Sequence, residues 1–274
     1  MLRRPIIEEP VSRLAVWSNR LALFALVLAA LSVIVLRTDL LEIVPAMATY
    51  GAALVLAGLA MLLALAAGVV IWRQGLSGIG RAVAGFFIGA ALLAYPGYLG
   101  ILAYQLPSIH DITTDTARPP RFDVISRLRP RGSNDYPAST AALQRRFYSD
   151  IVPLQVLTPP NAAFEATLAV VKKRKWVVVD ARPPAPNNRE GTIESVARSL
   201  IMGFRDDVVI RVSPFGTGAQ IDVRSASRYG VHDFGGNAAR VRALLDDIDD
   251  QITAQSEARQ ESEKKPAPRQ PVKK

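Results

Sequence analysis

The chain has 274 residues, of which half are hydrophobic, and its 33 Lys and Arg against 24 Asp and Glu give a formal net charge of +9. Apolar residues crowd before Leu106 and prolines and charges after it, which excludes a single water-soluble globule. The absence of cysteine excludes disulfide scaffolds, cysteine nucleophiles and thiolate metal sites.

A bilayer crossing takes about 20 apolar residues, and three stretches are read as spans, at about 21–36, 43–72 and 82–106, the first short between Arg20 and Arg37 but extended by Val16 and Trp17 and by snorkelling of the two arginines. No charge lies between Glu42 and Arg73, or between Arg81 and His110, so neither of the last two stretches is an amphipathic surface helix. Arg3, Arg4, Arg13 and Arg20 precede the first span, and Arg73 and Arg81 connect the second and third. The connection between the first and second spans has Arg37 with Asp39 and Glu42. The excess of basic residues predicts a cytoplasmic N-terminus, and three crossings then put the rest of the chain in the periplasm of a bacterial inner-membrane protein. Trp17 and Trp72 fall at the ends assigned to the cytoplasmic face, where indole rings favour the interface. The arginines 118, 121, 127, 129 and 131 argue mildly for the reverse orientation, but residues far from a span count for little.

Gly85 and Gly89 form a Gly-x-x-x-Gly pair, so homo-oligomerisation through the membrane helices is an open expectation beside ordinary packing of three short-looped spans. No ionisable residue interrupts the second or third span, which disfavours an ion pathway. Membrane lipids are the expected surroundings of residues 1–106.

Residues 107–144 are rich in Pro, Arg, Ser and Thr with little periodicity and read as a mobile or extended linker, held at anionic headgroups or simply solvated. Residues 145–253 carry the periodicity of one small domain, and 254–274 read as a disordered charged tail. In the domain, Asn161 is a plausible N-cap for a helix presenting Phe164, Leu168 and Val171, which ends at the basic run Lys172 to Lys175. Strands are predicted at about 176–180, 191–202, 207–213 and 219–227, with a Pro-rich loop at 182–188 and a turn at Gly216 to Gly218. A closing helix from Asn237 aligns Val241, Leu244, Leu245, Ile248 and Ile252 on one face. The fold class is therefore three transmembrane helices followed by a small α+β domain, an antiparallel sheet covered on one side by two helices.

Alternation places Glu194 and Arg198 on one face of their strand, and Arg211, Asp222 and Arg224 on faces of the next two. If these coincide, the uncovered side of the sheet carries ion pairs with excess arginine, either a solvated lattice or a site for a phosphate, carboxylate or lipid headgroup. A second candidate lies at the closing helix, whose N-terminus attracts anions. Arg224, Arg228 and Arg240 are expected to converge there with Ser225, Ser227 and Asn237, unless Asp233 neutralises Arg228 or Arg240 and makes a structural corner. His232 is the domain's single imidazole, and no Walker, Rossmann, zinc or Gly-x-Ser-x-Gly spacing is present, so no catalytic residue, metal or cofactor is assigned.

Four strings resemble a known family: Tyr148-Ser149-Asp150-Ile151-Val152-Pro153-Leu154, Ile193-Glu194-Ser195-Val196-Ala197, Gly203-Phe204-Arg205-Asp206-Asp207-Val208-Val209 and Ile221-Asp222-Val223-Arg224-Ser225-Ala226-Ser227-Arg228. Over about 148–245 the chain resembles the uncharacterised family called domain of unknown function 1499. Val231-His232-Asp233 replaces the family's usual glycine-basic-serine run before the motif aspartate. The resemblance implies a bacterial envelope or membrane-attached protein and carries no established activity. The functional expectation is a periplasmic domain that binds an anionic envelope ligand or a partner protein, with no nucleic acid. The alternative is an envelope enzyme acting on lipid or cell-wall material through Asp222, Asp233 or His232.

Overall fold

The computed structural model describes residues 9–129, 134–186 and 189–264 and divides into two compact units, residues 1–105 with 200–204, and residues 106–199 with 205–274. Arg3, Arg4, Arg131 and the end of the 182–188 loop, on which sequence expectations rested, lie outside the described residues.

The first unit holds three helices, α1 (Arg13–Arg37), α2 (Ile43–Gln74) and α3 (Ile79–Gln105), each long and apolar enough to cross a membrane. Their inward stripes are made of small residues: Ala15, Ser18, Ala22, Ala25 and Ala29 on α1, and Ala53, Ala57, Ala60, Ala64 and Ala67 on α2. Small side chains allow close backbone approach, and the Ser18 hydroxyl donates across the interface to the Ala60 carbonyl at 2.9 Å. Gly85 and Gly89 of α3 serve this intramolecular packing. A Cβ on Gly85 would lie 2.2 Å from Ser18 Oγ, and one on Gly89 would lie 2.8 Å from the Ala57 carbonyl oxygen. The pair is therefore occupied by packing inside the bundle. At one end, the α1 N-terminus is pinned to the loop before α3, with the Ser12 N–H donating to the Ser77 carbonyl at 3.0 Å.

The second unit is an antiparallel sheet with helices. In space the strands run β1 (Asp111–Thr113), β6 (Gly218–Ser227), β5 (Arg205–Phe215), β4 (Gly191–Arg198) and β3 (Val177–Arg182), and β2 (Leu154–Val156) shares the outer edge of β6 with β1. Thr114 fills the gap between those two short strands. Its N–H donates to the Val223 carbonyl at 2.9 Å, and its hydroxyl accepts the Val223 N–H at 3.0 Å. Helices α5 (Pro160–Lys173) and α6 (Gly236–Lys264) cover one face. There Phe164, Val170 and Val171 of α5 and Val241, Leu244 and Ile248 of α6 pack on Ile193, Val208, Ile210, Val212, Ile221 and Val223. Helix α4 (Ala138–Phe147) is tied to β1 through Gln144, whose Oε1 accepts the Thr113 N–H at 3.0 Å.

Four sequence expectations change. Residues 107–144 are not a mobile linker: they contain β1, a 3-10 turn (Ile125–Leu128) and most of α4, and Phe122 and Ile125 are buried against Val209 and Ala226. Proline density conceals this, because the segment buries side chains while making little regular structure. The tail is helical as far as Lys264, with 265–274 outside the described residues. The strand expected at 191–202 stops at Arg198, before the apolar string Leu200-Ile201-Met202. The N-cap of α5 is Pro159, and Asn161 sits in the first turn with Pro160 at the helix start, where a missing N–H costs nothing.

Candidate functional site

The charged residues singled out by alternation do coincide. Arg211↔Asp222 and Val209↔Arg224 are register pairs, and Glu194 is opposite Val209, which places Glu194, Arg211, Asp222 and Arg224 on the face away from α5 and α6. That face is covered, however, by residues 111–129 and their continuation from Asn134. Glu194 and Asp222 are completely buried and Arg224 is 1% exposed, so neither a solvated lattice nor an open anion site describes this layer.

Each guanidinium of the layer is engaged. Arg224 grips Asp111 with Nη2–Oδ2 at 2.7 Å and Nε–Oδ1 at 3.0 Å, and donates its remaining hydrogens to the Pro120 carbonyl at 3.2 Å and the Asn134 carbonyl at 3.0 Å. Arg211 meets Asp222 at 2.9 Å and Asp115 at 3.2 Å, and donates to the Arg118 carbonyl at 3.0 Å. Asp207, near the start of β5, accepts Arg228 at 2.8 Å on one oxygen and Arg129 at 3.0 Å on the other. Glu194 has no such close arginine. Its two oxygens accept the backbone N–H groups of Asp123, Val124 and Ile125 at 2.8, 3.1 and 2.8 Å, fixing the start of the 3-10 turn. The guanidinium planes of Arg129 and Arg224 both lie 4.9 Å from the Phe122 ring centroid, so the aromatic ring fills the space between the ion pairs. Among the described residues, Arg129, Arg211, Arg224 and Arg228 pair with Asp111, Asp115, Asp207 and Asp222, and Arg182 approaches Glu194 at 3.8 Å, so the arginines of this layer are matched by carboxylates. Burial, and then the Asp111 charge, push the Tyr136 hydroxyl well above its ordinary pKa at the edge of this layer.

The remaining expected site residues lie on the helix side of the sheet. Arg240 of α6 pairs with Asp206 and donates to Ser225 Oγ at 3.0 Å and Asn237 Oδ1 at 2.6 Å. Ser225 donates to the same Asn237 oxygen at 2.7 Å, and the Asn237 amide donates to Ser227 Oγ at 2.9 Å and to the His110 carbonyl at 3.0 Å. Thus Ser225, Ser227, Asn237 and Arg240 converge, while Arg211, Arg224 and Arg228 belong to the opposite face and do not join them. Alternation requires this separation, since Arg224 and Ser225 are neighbours on one strand.

Asp233 is neither partner of Arg228 nor of Arg240. Its carboxylate accepts the N–H groups of Gly235 at 3.0 Å and Asn237 at 2.8 Å, so the positive end of α6 is filled by the chain's own side chain. Asn237 is correspondingly a first-turn residue rather than the cap. His232 stacks on Phe234 with centroids 4.7 Å apart, and its Nδ1 accepts the Phe234 N–H at 2.9 Å. Asp222, Asp233 and His232 are therefore held in separate structural roles. Among the described residues, no group of three or more His, Asp or Glu is placed to hold a metal ion.

Sequence reasoning missed Asp111, Asp115, Asp207 and Phe122, which complete the charged layer. A usable signal was present in Ile109 and Ile112 around Asp111, and in Phe122 and Ile125, apolar residues that a solvated linker has no reason to carry. A comparison with curated proteins finds no match for the chain. The family comparison reaches back to Asp111, the residue that grips Arg224, and forward to Ile248 in the core of α6. It covers half of the chain with the sheet and its charged cover as one block, and over residues 111–248 the chain belongs to the family described as a protein of unknown function (DUF1499).

Proposed function

We propose that this is a multi-pass inner-membrane protein with a cytoplasmic N-terminus, whose periplasmic domain works by binding a partner protein of the cell envelope. The orientation is supported by Arg13, Arg20, Arg73 and Arg81 at one end of the bundle, with Trp17 and Trp72 beside them. Binding to a protein is favoured over binding to an anionic ligand by one observation: the arginines suited to an anion, Arg211, Arg224, Arg228 and Arg240, are already paired with carboxylates, whereas large apolar side chains stay on the domain surface. Leu157 is 89% exposed and Phe215 is about half exposed. The two flank one turn, because Phe215 pairs in register with Gly218, on which a Cβ would lie 2.8 Å from Leu157 Cα. Exposed apolar clusters of this kind mark contact surfaces.

Native mass spectrometry of the full-length protein, extracted from the envelope in mild detergent, tests the reading. A protein partner is expected, and Leu157→Glu is expected to remove it without unfolding the domain. A bare monomer would overturn the reading. A small anionic species lost in Arg240→Gln would instead favour the ligand reading, through the Ser225, Asn237 and Arg240 cluster.

A further inference from the structure

The loop between β4 and β5 carries Leu200-Ile201-Met202-Gly203-Phe204, a string more apolar than a solvent-facing hairpin loop requires, and residues 200–204 belong to the first unit. Met202 is buried with Leu36 of α1 and Ala46 of α2, and Val33, Ile43, Tyr50 and Phe204 pack around them. Arg37, the last residue of α1, donates to the carbonyls of Leu200 and of Ile201, the latter at 3.1 Å. Gly203 makes the approach possible. Its φ is +73°, and a Cβ there would lie 3.0 Å from Arg37 Cγ.

This arrangement leaves two side chains without cover. Leu200 is 90% exposed and Ile201 40% exposed, and in the same unit Leu40 and Leu41 of the connection between α1 and α2 and Val44 in the first turn of α2 are exposed. All five belong to the end of the unit where α1 stops and α2 starts, the end of the apolar belt. We propose that the β4–β5 loop is a second membrane contact, with Leu200 and Ile201 seated in the hydrocarbon edge of the bilayer. The proposal rests on the reading that the three helices span the membrane. Two observations name the bilayer as the occupant. The exposed loop side chains are joined through the Leu200 and Ile201 carbonyls to Arg37, the residue just before the exposed apolar α1–α2 connection, and those two carbonyls are satisfied by a guanidinium, as backbone entering a low-dielectric layer requires. Arg37 suits that depth, since its stem lies along apolar surface while its head stays at the interface.

The chain has no cysteine, so single thiols report one position each. Leu200→Cys, Leu62→Cys on an exposed position of α2 and Ser256→Cys on an exposed position of α6 would each carry an environment-sensitive fluorophore in the full-length protein. Reconstitution would use phosphatidylcholine and phosphatidylglycerol vesicles containing doxyl-labelled lipid. The proposal expects the label at 200 to be quenched by doxyl lipid at least threefold more than the label at 256, with emission shifted to the blue. Quenching at 62 with a response at 200 equal to that at 256 would overturn it while leaving the spanning helices intact. Absence of quenching at 62 would overturn the spanning reading and the loop contact together.

Discussion

The two faces of the sheet solve the same problem by opposite means. Toward α5 and α6 the strands present Ile193, Val208, Ile210, Ile221 and Val223, and burial of apolar surface holds the layers together. Toward residues 111–129 the same strands present Glu194, Asp207, Arg211, Asp222 and Arg224, and the cover is held by ion pairs and by backbone N–H groups turned onto a carboxylate. The apolar face loses stability with the volume removed from it, while the charged face depends on every partner being in place, because removing one partner leaves a buried charge uncompensated and replacing both can restore most of the loss. A polar face in a strand pattern therefore says which side chains travel together. It does not say that they meet water.

Breaking one partner of the charged layer should have the largest effect. Arg224→Ala strands the Asp111 carboxylate and should cost about 3 to 5 kcal/mol, whereas Arg224→Met combined with Asp111→Leu should recover most of that loss. Urea denaturation followed by Trp176 emission, with Trp17 and Trp72 replaced by Phe, measures both. A loss in the double variant equal to that in the single would deny the ion-pair account. Leu244→Ala, on the helix side, should cost about 2 to 5 kcal/mol and admit no comparable rescue at a distant position.

On the charged side, alkali should act through Tyr136. The Tyr136 hydroxyl is held above its ordinary pKa of 10.0, so the folded state favours its neutral form. That contribution is fully present below pH 10.0 and is lost as pH rises beyond it. Tyr136→Phe should flatten the alkaline decline of stability, at the cost of about 1 kcal/mol near neutrality from the lost bond to Gln144.

The smallest effect belongs to the solvent-facing pair Arg242–Asp150. A hydrogen bond from Arg242 holds the Asp150 carboxyl below its ordinary value, a contribution present above that value and lost as the pH falls through it. Both side chains are more than a third exposed, so Arg242→Gln should change stability by no more than about 1 kcal/mol at neutral pH.

The legible parts of this molecule were those with a period. The three apolar helices, the helix-facing residues of α6 and the alternation along β4, β5 and β6 follow from spacing alone. What spacing concealed was everything between Pro107 and Gln144, because a segment that docks through Asp111, carbonyl oxygens, three N–H groups and one phenylalanine leaves no periodic trace. Ser225, Ser227, Asn237 and Arg240 meet around the start of α6. Arg224 and Arg228 are close to them along the chain but lie on the other face, because alternation sends adjacent side chains of a strand to opposite sides. Asp233, expected from sequence as a partner of Arg228 or Arg240, instead accepts the N–H groups of Gly235 and Asn237 and fills the helix end.

The central claim is that residues 111–129 are part of the folded interior rather than a tether. Amide hydrogen exchange of the full-length protein in detergent tests it most directly, read on peptides covering Phe122 to Arg129. The account predicts that the N–H of Ile125, bound to the buried Glu194 carboxylate, exchanges as slowly as the amides of β5 and is released by Glu194→Ala. Exchange of these amides within seconds, while β5 remains protected, would contradict it.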